Sequence, residues 1–322
     1  MPRRGRVPLG IALALLAGLL VLWSQRRPIA EGFIARELAA RGVRARYDVA
    51  EIGTSMQRIE NLVIGDPARP DLVADWIEIR TKLGFGAPDV TGIVAGRVRM
   101  RAAWRDGRLS LGALDRLMPP PSGKPFALPE LDLTISDGRA RIETPAGVLG
   151  ARLSGQGALN DGFRGRLALV SERLAASGCT AQAVEAAMGI AVRARAIALT
   201  GPIRAANAAC GDNEARGIGA TVDVQLPEAL DRWAGSARLR ADRIAAAGVR
   251  AAGLGGTIRF DGAPAGISGR GDLMLAGVRA GRAEATGLSF AGPFRWDGER
   301  MRLAGRIGAG RVVPGAGGVD LR

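Results

Sequence analysis

Few residues of this chain have side chains that commonly carry out catalysis. The 322 residues contain no histidine, which removes the commonest general base and the commonest metal ligand. No Gly-x-Ser-x-Gly elbow occurs, and a serine nucleophile would have no histidine partner. Acidic pairs, which could hydrolyse glycosides, fall in predicted turns or on polar strand faces, where a solvated surface role is ordinary. The sequence therefore predicts a protein without catalytic residues, metal or cofactor.

One glycine-rich segment and two cysteines also have chemical potential. Gly253-Leu254-Gly255-Gly256 partly matches a dinucleotide-binding loop, but it lacks the final glycine and the strand-to-helix setting, which indicates a turn. Cys179 and Cys210 are the only cysteines. Their even number, together with the export that the N-terminal residues predict below, favours a disulfide worth a few kcal/mol, with two free thiols as the alternative.

Arginine supplies almost all of the net charge of +14, because Lys82 and Lys124 are the only lysines. Such a charge is typical of surfaces that attract anionic lipid headgroups or nucleic acid. Here the arginines alternate with apolar residues rather than cluster, which favours a solvated polar face. We expect no nucleic-acid partner, since an exported body meets little nucleic acid.

The first residues predict a membrane anchor. Three arginines at positions 3, 4 and 6 precede an uncharged run, Val7–Gln25. Arg26 and Arg27 follow this run directly. At about 1.5 Å per residue, this run nearly matches a hydrocarbon core of roughly 30 Å. A cleaved secretory signal is the alternative, but small residues do not follow the apolar core. The basic start predicts residues 1–27 as a cytoplasmic tip and anchor, with the remainder exported.

Two regions follow the predicted anchor. Residues 28–118 are predicted to hold a juxtamembrane helix, Pro28–Ala40, then the first strands and a short helix over Leu111–Leu117. The proline-rich stretch Pro119–Pro125 predicts a boundary or a crossing loop, because proline cannot donate to a sheet ladder. Residues 119–322 are predicted to form the second, larger β region.

Apolar residues alternate with polar ones through much of this second region, as in Leu131-Asp132-Leu133-Thr134-Ile135. Alternation of this kind is typical of antiparallel strands with one apolar and one polar face. Asp-Gly pairs, which suit type I′ hairpin turns, occur at 106–107, 137–138, 161–162, 261–262 and 297–298. Together they predict a long antiparallel β-meander.

Two packing arrangements would bury the apolar face of such a meander. Two sheets could close as a sandwich, whereas few aromatics and many glycines favour a single curled sheet with an apolar trough. Ordinary core packing is the alternative role for each residue alone. The predicted trough wall comprises Leu131, Leu133, Ile135, Ala140, Ile142, Leu167, Leu169, Val222, Val224, Leu226, Leu239, Ile258, Phe260, Leu273 and Leu275.

These features resemble the AsmA-like envelope proteins, particularly their YdbH branch, with TamB as a more distant relative. The resemblance rests on the basic start and anchor, the helix Pro28–Ala40, and the segments Asp106–Leu111 and Leu131–Arg139. It implies an inner-membrane anchor, an elongated U-shaped β groove in the periplasm, and phospholipid movement towards the outer membrane. Members of this family are usually longer, so we expect this chain to be an N-terminal portion.

The expected partners are accordingly the inner membrane, phospholipid acyl chains and an outer-membrane or periplasmic protein. A second hypothesis is a structural or assembly factor that binds protein partners during outer-membrane biogenesis. A third is an envelope hydrolase, which would need a buried acidic pair in a cleft.

Overall fold

The computed structural model describes residues 36, 38–53, 55–82, 89–105, 108–117, 127–298 and 300–314. The predicted anchor and most of the predicted helix Pro28–Ala40 lie outside these residues. At the end of that predicted helix, residues 36 and 38–40 are helical and the chain turns at residues 41–42. Within the described ranges, no helix has both the length and the apolarity needed to cross a membrane.

The first part of the fold consists of short and medium strands followed by a 3₁₀ helix. Its strands are β1 Ala45–Ile52, β2 Met56–Asp66, β3 Arg69–Lys82, β4 Asp89–Gly96, β5 Val98–Arg105 and β6 Arg108–Ser110, and the 3₁₀ helix is Gly112–Leu117.

The second part consists of long strands and ends in three very short ones. The long strands are β7 Asp132–Thr144, β8 Gly147–Ala158, β9 Arg164–Ala176, β10 Cys179–Arg193, β11 Ala196–Cys210, β12 Asn213–Leu226, β13 Trp233–Ala246, β14 Val249–Ala263, β15 Gly266–Ala280 and β16 Ala283–Trp296. The short ones, β17 Met301–Leu303, β18 Arg306–Gly308 and β19 Arg311–Val313, all pair with β16.

All these strands belong to one sheet, and from β8 to β16 each strand pairs antiparallel with the one before it. The prediction of a mainly β chain with a long antiparallel meander is therefore confirmed. In the described part of the chain the strands form a single hydrogen-bonded sheet.

The predicted uninterrupted meander is wrong at one point, where β7 runs parallel to β4 and β5. Gly92–Ala95 of β4 pair with Asp132–Ile135, and Val98–Ala103 of β5 pair with Gly138–Glu143. The reason is that β6, the 3₁₀ helix and the segment before β7 carry the chain back to the start of β4. A parallel neighbour requires such a crossover connection, whereas a hairpin gives an antiparallel one.

The Asp-Gly pairs do not all form hairpin turns as predicted. Asp137-Gly138 lies inside β7 and Asp261-Gly262 lies inside β14, so the turn prediction is wrong for both. Asp161-Gly162 and Asp297-Gly298 do lie between strands, and residues 106–107 lie outside the described residues. The predicted turn at Gly253–Gly256 is also wrong, because this segment lies within β14.

Tight hairpin turns instead use other residue pairs that adopt positive φ at both positions. Ser177 and Gly178 have φ of 51° and 75°, and Ala247 and Gly248 have φ of 48° and 78°. Positive φ at both central residues is the requirement of a type I′ turn. Asp137 and Asp261 instead lie on paired strands, where register with the neighbouring strands decides the conformation.

The sheet has an apolar face, which carries the alternating half-buried apolar side chains, and a polar face, which carries most arginines. In β9–β16 the alternation shifts by one residue along a single row, which we call the long crease. Across it, successive apolar-face residues are three positions apart, as with Ala251 and Leu254 in β14. The long crease comprises Glu172, Ala183, Ala206, Gly217, Asp242, Gly253, Ala276 and Gly287.

Alternate strands of the long crease contain a residue with left-handed backbone conformation. Ala183, Gly217, Gly253 and Gly287 have φ of 48°, 63°, 65° and 64°. An extra residue in a left-handed conformation is how a β-bulge bends a strand. Because the extra residues face one another from strand to strand, every strand bends at the same place and the pairing on both sides stays in register.

A second row, which we call the short crease, does the same in β2, β3, the β4–β5 junction and β7, with polar side chains in place of glycine. Asn61 and Arg97 have φ of 51° and 49°. The Asn61 amide donates a 2.8 Å hydrogen bond to Asp48, and Arg97 pairs with Asp75, which lies opposite it in β3. The row continues into β7 at Asp137, where the register shifts.

We expect Gly253→Ala to open the sheet locally at the long crease. Gly253 has a φ of 65°, and an added Cβ would lie 2.7 Å from the Cβ of Ala276. A left-handed conformation costs a non-glycine residue roughly 1–2 kcal/mol, so amide hydrogen exchange in β14 and β15 should become about 5- to 30-fold faster.

Gly255→Ala is the matched control on the same strand, since a Cβ there would meet nothing within 4 Å. Alanine lowers the conformational entropy of the unfolded chain relative to glycine. Amide hydrogen exchange in the Gly255→Ala variant should therefore be unchanged or slower. Equal acceleration in both variants would contradict the role assigned to the crease.

Candidate functional site

An unbroken row of apolar residues crosses the apolar face from β1 to β17. Each member lies directly opposite the next on the neighbouring strand, so the side chains share one face. This long apolar row contains no polar residue. Its members are Val49, Ile59, Ile77, Ala95, Ile135, Gly155, Gly165, Ile190, Leu199, Val224, Gly235, Phe260, Gly269, Phe294 and Leu303.

The structure places the predicted trough residues of β7–β15 on this same face. The register shift between Ile135 and Gly138 is what brings Ala140 and Ile142 to the face of Leu133 and Ile135. Leu131 precedes β7 and is half-buried. The remaining members on this face are Leu167, Leu169, Val222, Val224, Leu226, Leu239, Ile258, Phe260, Leu273 and Leu275.

Several apolar-face residues were not predicted from the sequence. They lie in β8, β10, β11 and β13–β16. Their assignment to the apolar face follows from the residues directly opposite them on the neighbouring strands. The added members include Leu153, Met188, Ile203, Trp233, Leu254, Ile267, Leu288, Phe290, Phe294 and Trp296.

Large side chains alternate with glycines across the apolar face. In the long apolar row, Gly269 lies between Phe260 and Phe294, and in the next row Gly262 lies beside Trp233. A Cβ at Gly269 would clash with the Arg259 carbonyl oxygen, and one at Gly262 would clash with the Trp233 indole. Neighbouring backbones and rings therefore occupy the space above these glycines.

The apolar face is covered at its β2–β3 end by other parts of the chain. Val43, Leu62, Ile64 and Ala74 form a buried cluster there, and Leu38 together with the 3₁₀-helix residues Ala113, Leu114 and Leu117 packs against it. Asp71 accepts a 2.9 Å hydrogen bond from the Ala113 amide, which holds the 3₁₀ helix in place. This is the part of the described sheet that most closely resembles a globular core.

In β8–β16 the same face is mostly half-buried. Met188, Val192, Ala237 and Ala241 are buried, whereas most large apolar-face residues keep partial exposure. Phe163 is 4% exposed, close to the positions that Cβ atoms at Gly155 and Gly165 would take. The apolar surface therefore extends beyond the covered end without a second layer of described residues above it.

Ionic contacts connect the segment before β7 with the turns at one end of the strands, after β10 and β12. Glu228, in the loop after β12, accepts 2.7 Å hydrogen bonds from the Leu128 amide and from Arg195. Arg195, in the turn between β10 and β11, also pairs with Glu130 at 3.0 Å. The hydrogen bond from Arg195 and then that from Leu128 lower the pKa of Glu228 below its ordinary value.

The polar face carries arginines in cross-strand pairs and ion pairs. In β7 and β8, Arg139 and Arg152 lie directly opposite each other, and both pair with Asp137, at 3.3 and 2.9 Å. The hydrogen bond from Arg139, followed by the charges of both arginines, lowers the pKa of Asp137. Such exposed pairs contribute little stability individually.

Cys179 and Cys210 lie directly opposite each other at the ends of β10 and β11, with a 2.11 Å bond between their sulfurs. Neither cysteine is free. Across the described ranges, no group of three or more histidine, cysteine, aspartate or glutamate side chains is placed to hold a metal ion.

Comparison with known proteins adds a family to this geometry. A family model described as YdbH-like, intermembrane phospholipid transport protein YdbH, matches residues 13–309. The match includes every strand from β1 to β18. Curated proteins and solved structures gave no match.

Acid should loosen the segment before β7. Because the folded-state pKa of Glu228 lies below its ordinary value of 4.5, its contribution to stability is present above that value and is lost as pH falls through the folded-state pKa. Hydrogen exchange of the Leu128 amide, corrected for its intrinsic pH dependence, should therefore accelerate below about pH 4.5.

Glu228→Gln removes the titrating group at this end of the strands while retaining an acceptor. The variant should exchange faster at neutral pH and show a flatter pH profile. An unchanged profile would show that the acid effect does not come from Glu228 and would contradict the prediction.

Proposed function

The chain belongs to the YdbH-like family of intermembrane phospholipid transport proteins, and we propose that its apolar face is the groove that carries phospholipid acyl chains. The observation that supports this most strongly is the long apolar row, which crosses the sheet from β1 to β17 without a polar residue. A surface of this length has no evident packing partner in the described chain beyond the covered β2–β3 end.

The energetics of moving a lipid through water explain why such a surface would be useful. Each exposed CH₂ costs about 0.8 kcal/mol, so two acyl chains of ordinary length face a barrier on the order of 20 kcal/mol. A continuous apolar surface offsets most of this cost at every position along its length. No single side chain needs to recognise the lipid.

Two features support a curled rather than a flat surface. The long crease bends β9–β16 at one row, and the short crease bends β2, β3, the β4–β5 junction and β7. On the apolar side, Cβ atoms at Gly201, Gly235 and Gly256 would clash with carbonyl oxygens of Ala187, Asp223 and Asp272 on the neighbouring strands. Such close approaches of neighbouring backbones on the apolar side support the proposal of a curled sheet.

We further propose that residues 1–27 anchor the chain in the inner membrane and that the β region lies in the periplasm. The arginines at positions 3, 4 and 6 and the uncharged run that follows them support this orientation. The bonded pair Cys179 and Cys210 supports an oxidising compartment. The groove would then begin beside the membrane that supplies the lipid.

Replacing residues 1–27 with a cleavable export signal should move the chain from the membrane fraction to the soluble periplasmic fraction. The reason is that the uncharged run would be the hydrophobic segment that holds the chain in the bilayer. Immunoblotting of carbonate-washed membranes measures this. Retention in the washed membranes would overturn the anchor proposal.

A photoreactive benzoylphenylalanine at Phe260 should form phospholipid adducts in intact cells, because Phe260 lies in the long apolar row. The same probe at Arg259, on the polar face, should form few. Mass spectrometry of the purified full-length chain identifies the adducts. Protein adducts at Phe260 in place of lipid would favour an assembly factor.

A charge in the long apolar row should reduce these lipid adducts. Val224→Asp, two strands from Phe260 in that row, removes contact with about two CH₂ groups, which is worth roughly a tenfold loss of occupancy. Gln225→Asp, on the polar face of the same strand, is the control and should leave the yield unchanged. Equal yields in both variants would contradict the groove.

A further inference from the structure

A shallow depression lies on the polar face of β12–β16. It lies between the long crease and the end of the sheet at which β12, β14 and β16 begin. Four arginines surround it: Arg216, Arg243, Arg250 and Arg279. Its floor is formed by side chains with at most one carbon, from Ala245, Ala252 and Gly277. The long arginine side chains therefore stand around a space that no other large side chain fills.

The arginines occupy an unfavourable arrangement in the sheet. Arg216 lies directly opposite Arg243, and Arg250 lies directly opposite Arg279. Like charges in directly opposite positions destabilise a sheet. Two such pairs on adjoining strands therefore cost stability unless an anion lies between them.

The acidic residues of the depression do not neutralise this charge. Glu214 bonds Arg216 at 2.6 Å, and Glu284 bonds Arg279 at 2.7 Å. Within the described residues, Arg243 and Arg250 form no ion pair or side-chain hydrogen bond. Two positive charges thus remain uncompensated, on either side of the alanine floor.

We propose that Arg243 and Arg250, supported by Arg216 and Arg279, bind a phosphate group. The guanidinium group presents paired donors that match two phosphate oxygens, and two such groups match a phosphate approached from both sides. The small floor residues leave space for the phosphate between the arginines. The site lies on the face opposite the long apolar row, so it is separate from the proposed groove.

Two sources of phosphate share this chemistry: a free phosphate and the phosphodiester of a lipid headgroup. Isothermal titration of the full-length chain in an uncharged detergent, at low salt, should distinguish them. The probes are inorganic phosphate, glycerophosphoglycerol and the zwitterionic glycerophosphocholine. None has an acyl chain, so failure of the groove proposal would not affect the result.

The substitution pair Arg243→Gln and Arg250→Gln should weaken binding of the preferred anionic probe at least tenfold, because each arginine supplies charge-assisted hydrogen bonds. Removing like charges should not lower the thermal midpoint, so loss of binding would not reflect misfolding. Tighter binding of inorganic phosphate assigns the site to the free anion, and tighter binding of glycerophosphoglycerol assigns it to a headgroup.

Arg164→Gln with Arg166→Gln is the matched control. These arginines lie on the polar face of β9, and their replacement removes the same charge without touching the depression. Unchanged binding in this control supports a local site. The proposal is overturned if no anionic probe binds, if the Arg243 and Arg250 variant still binds normally, or if the control loses as much affinity.

Discussion

One extra residue in a strand bends the strand, but it also moves every later side chain to the opposite face. This constraint shapes the whole sheet. Side chains alternate strictly along an extended strand, so one extra residue reverses their direction. The sheet meets the constraint by adding the extra residue at the same row in each of β9–β16. Apolar-face residues on the two sides of Gly253, such as Ala251 and Leu254, therefore remain on one face. The long apolar row depends on this alignment.

The same alignment explains how few aromatic residues can give a continuous apolar surface. A compact core is filled by interlocking large side chains, whereas this face needs only one apolar layer over the ladder. Glycine beside Phe260 and Phe294 gives the rings room to lie across neighbouring strands. Stability then comes from long antiparallel pairings between sequence neighbours, which keep the loop-closure cost of each hairpin small. The apolar surface is left half-buried, which suits it to an apolar ligand.

Much of the face, but little of its bending, could be predicted from the sequence. The two-residue alternation of Val222, Val224 and Leu226 identifies a strand and its apolar side without any knowledge of the neighbours. The creases could not be predicted, because Ala183 and Asp242 carry no local signal for a bend. Their conformation follows from the register of adjacent strands. Asp261-Gly262 shows the same limit: it has the composition of a turn, but pairing with β13 and β15 keeps it extended.

The two creases differ in chemistry, and the difference coincides with how the apolar face is covered. The short crease is held by polar contacts of Asn61 and Arg97, beside a cluster that Leu114 and Leu117 complete from above. The long crease relies on glycine at alternate strands, and no described element covers the apolar face beside it. Side-chain contacts thus hold the bend at the short crease, where the chain forms a buried core. Backbone conformation holds the bend at the long crease, where no described residues cover the apolar face. The part of the face that we propose receives an acyl chain therefore begins where the protein's own packing ends, beyond the covered β2–β3 end.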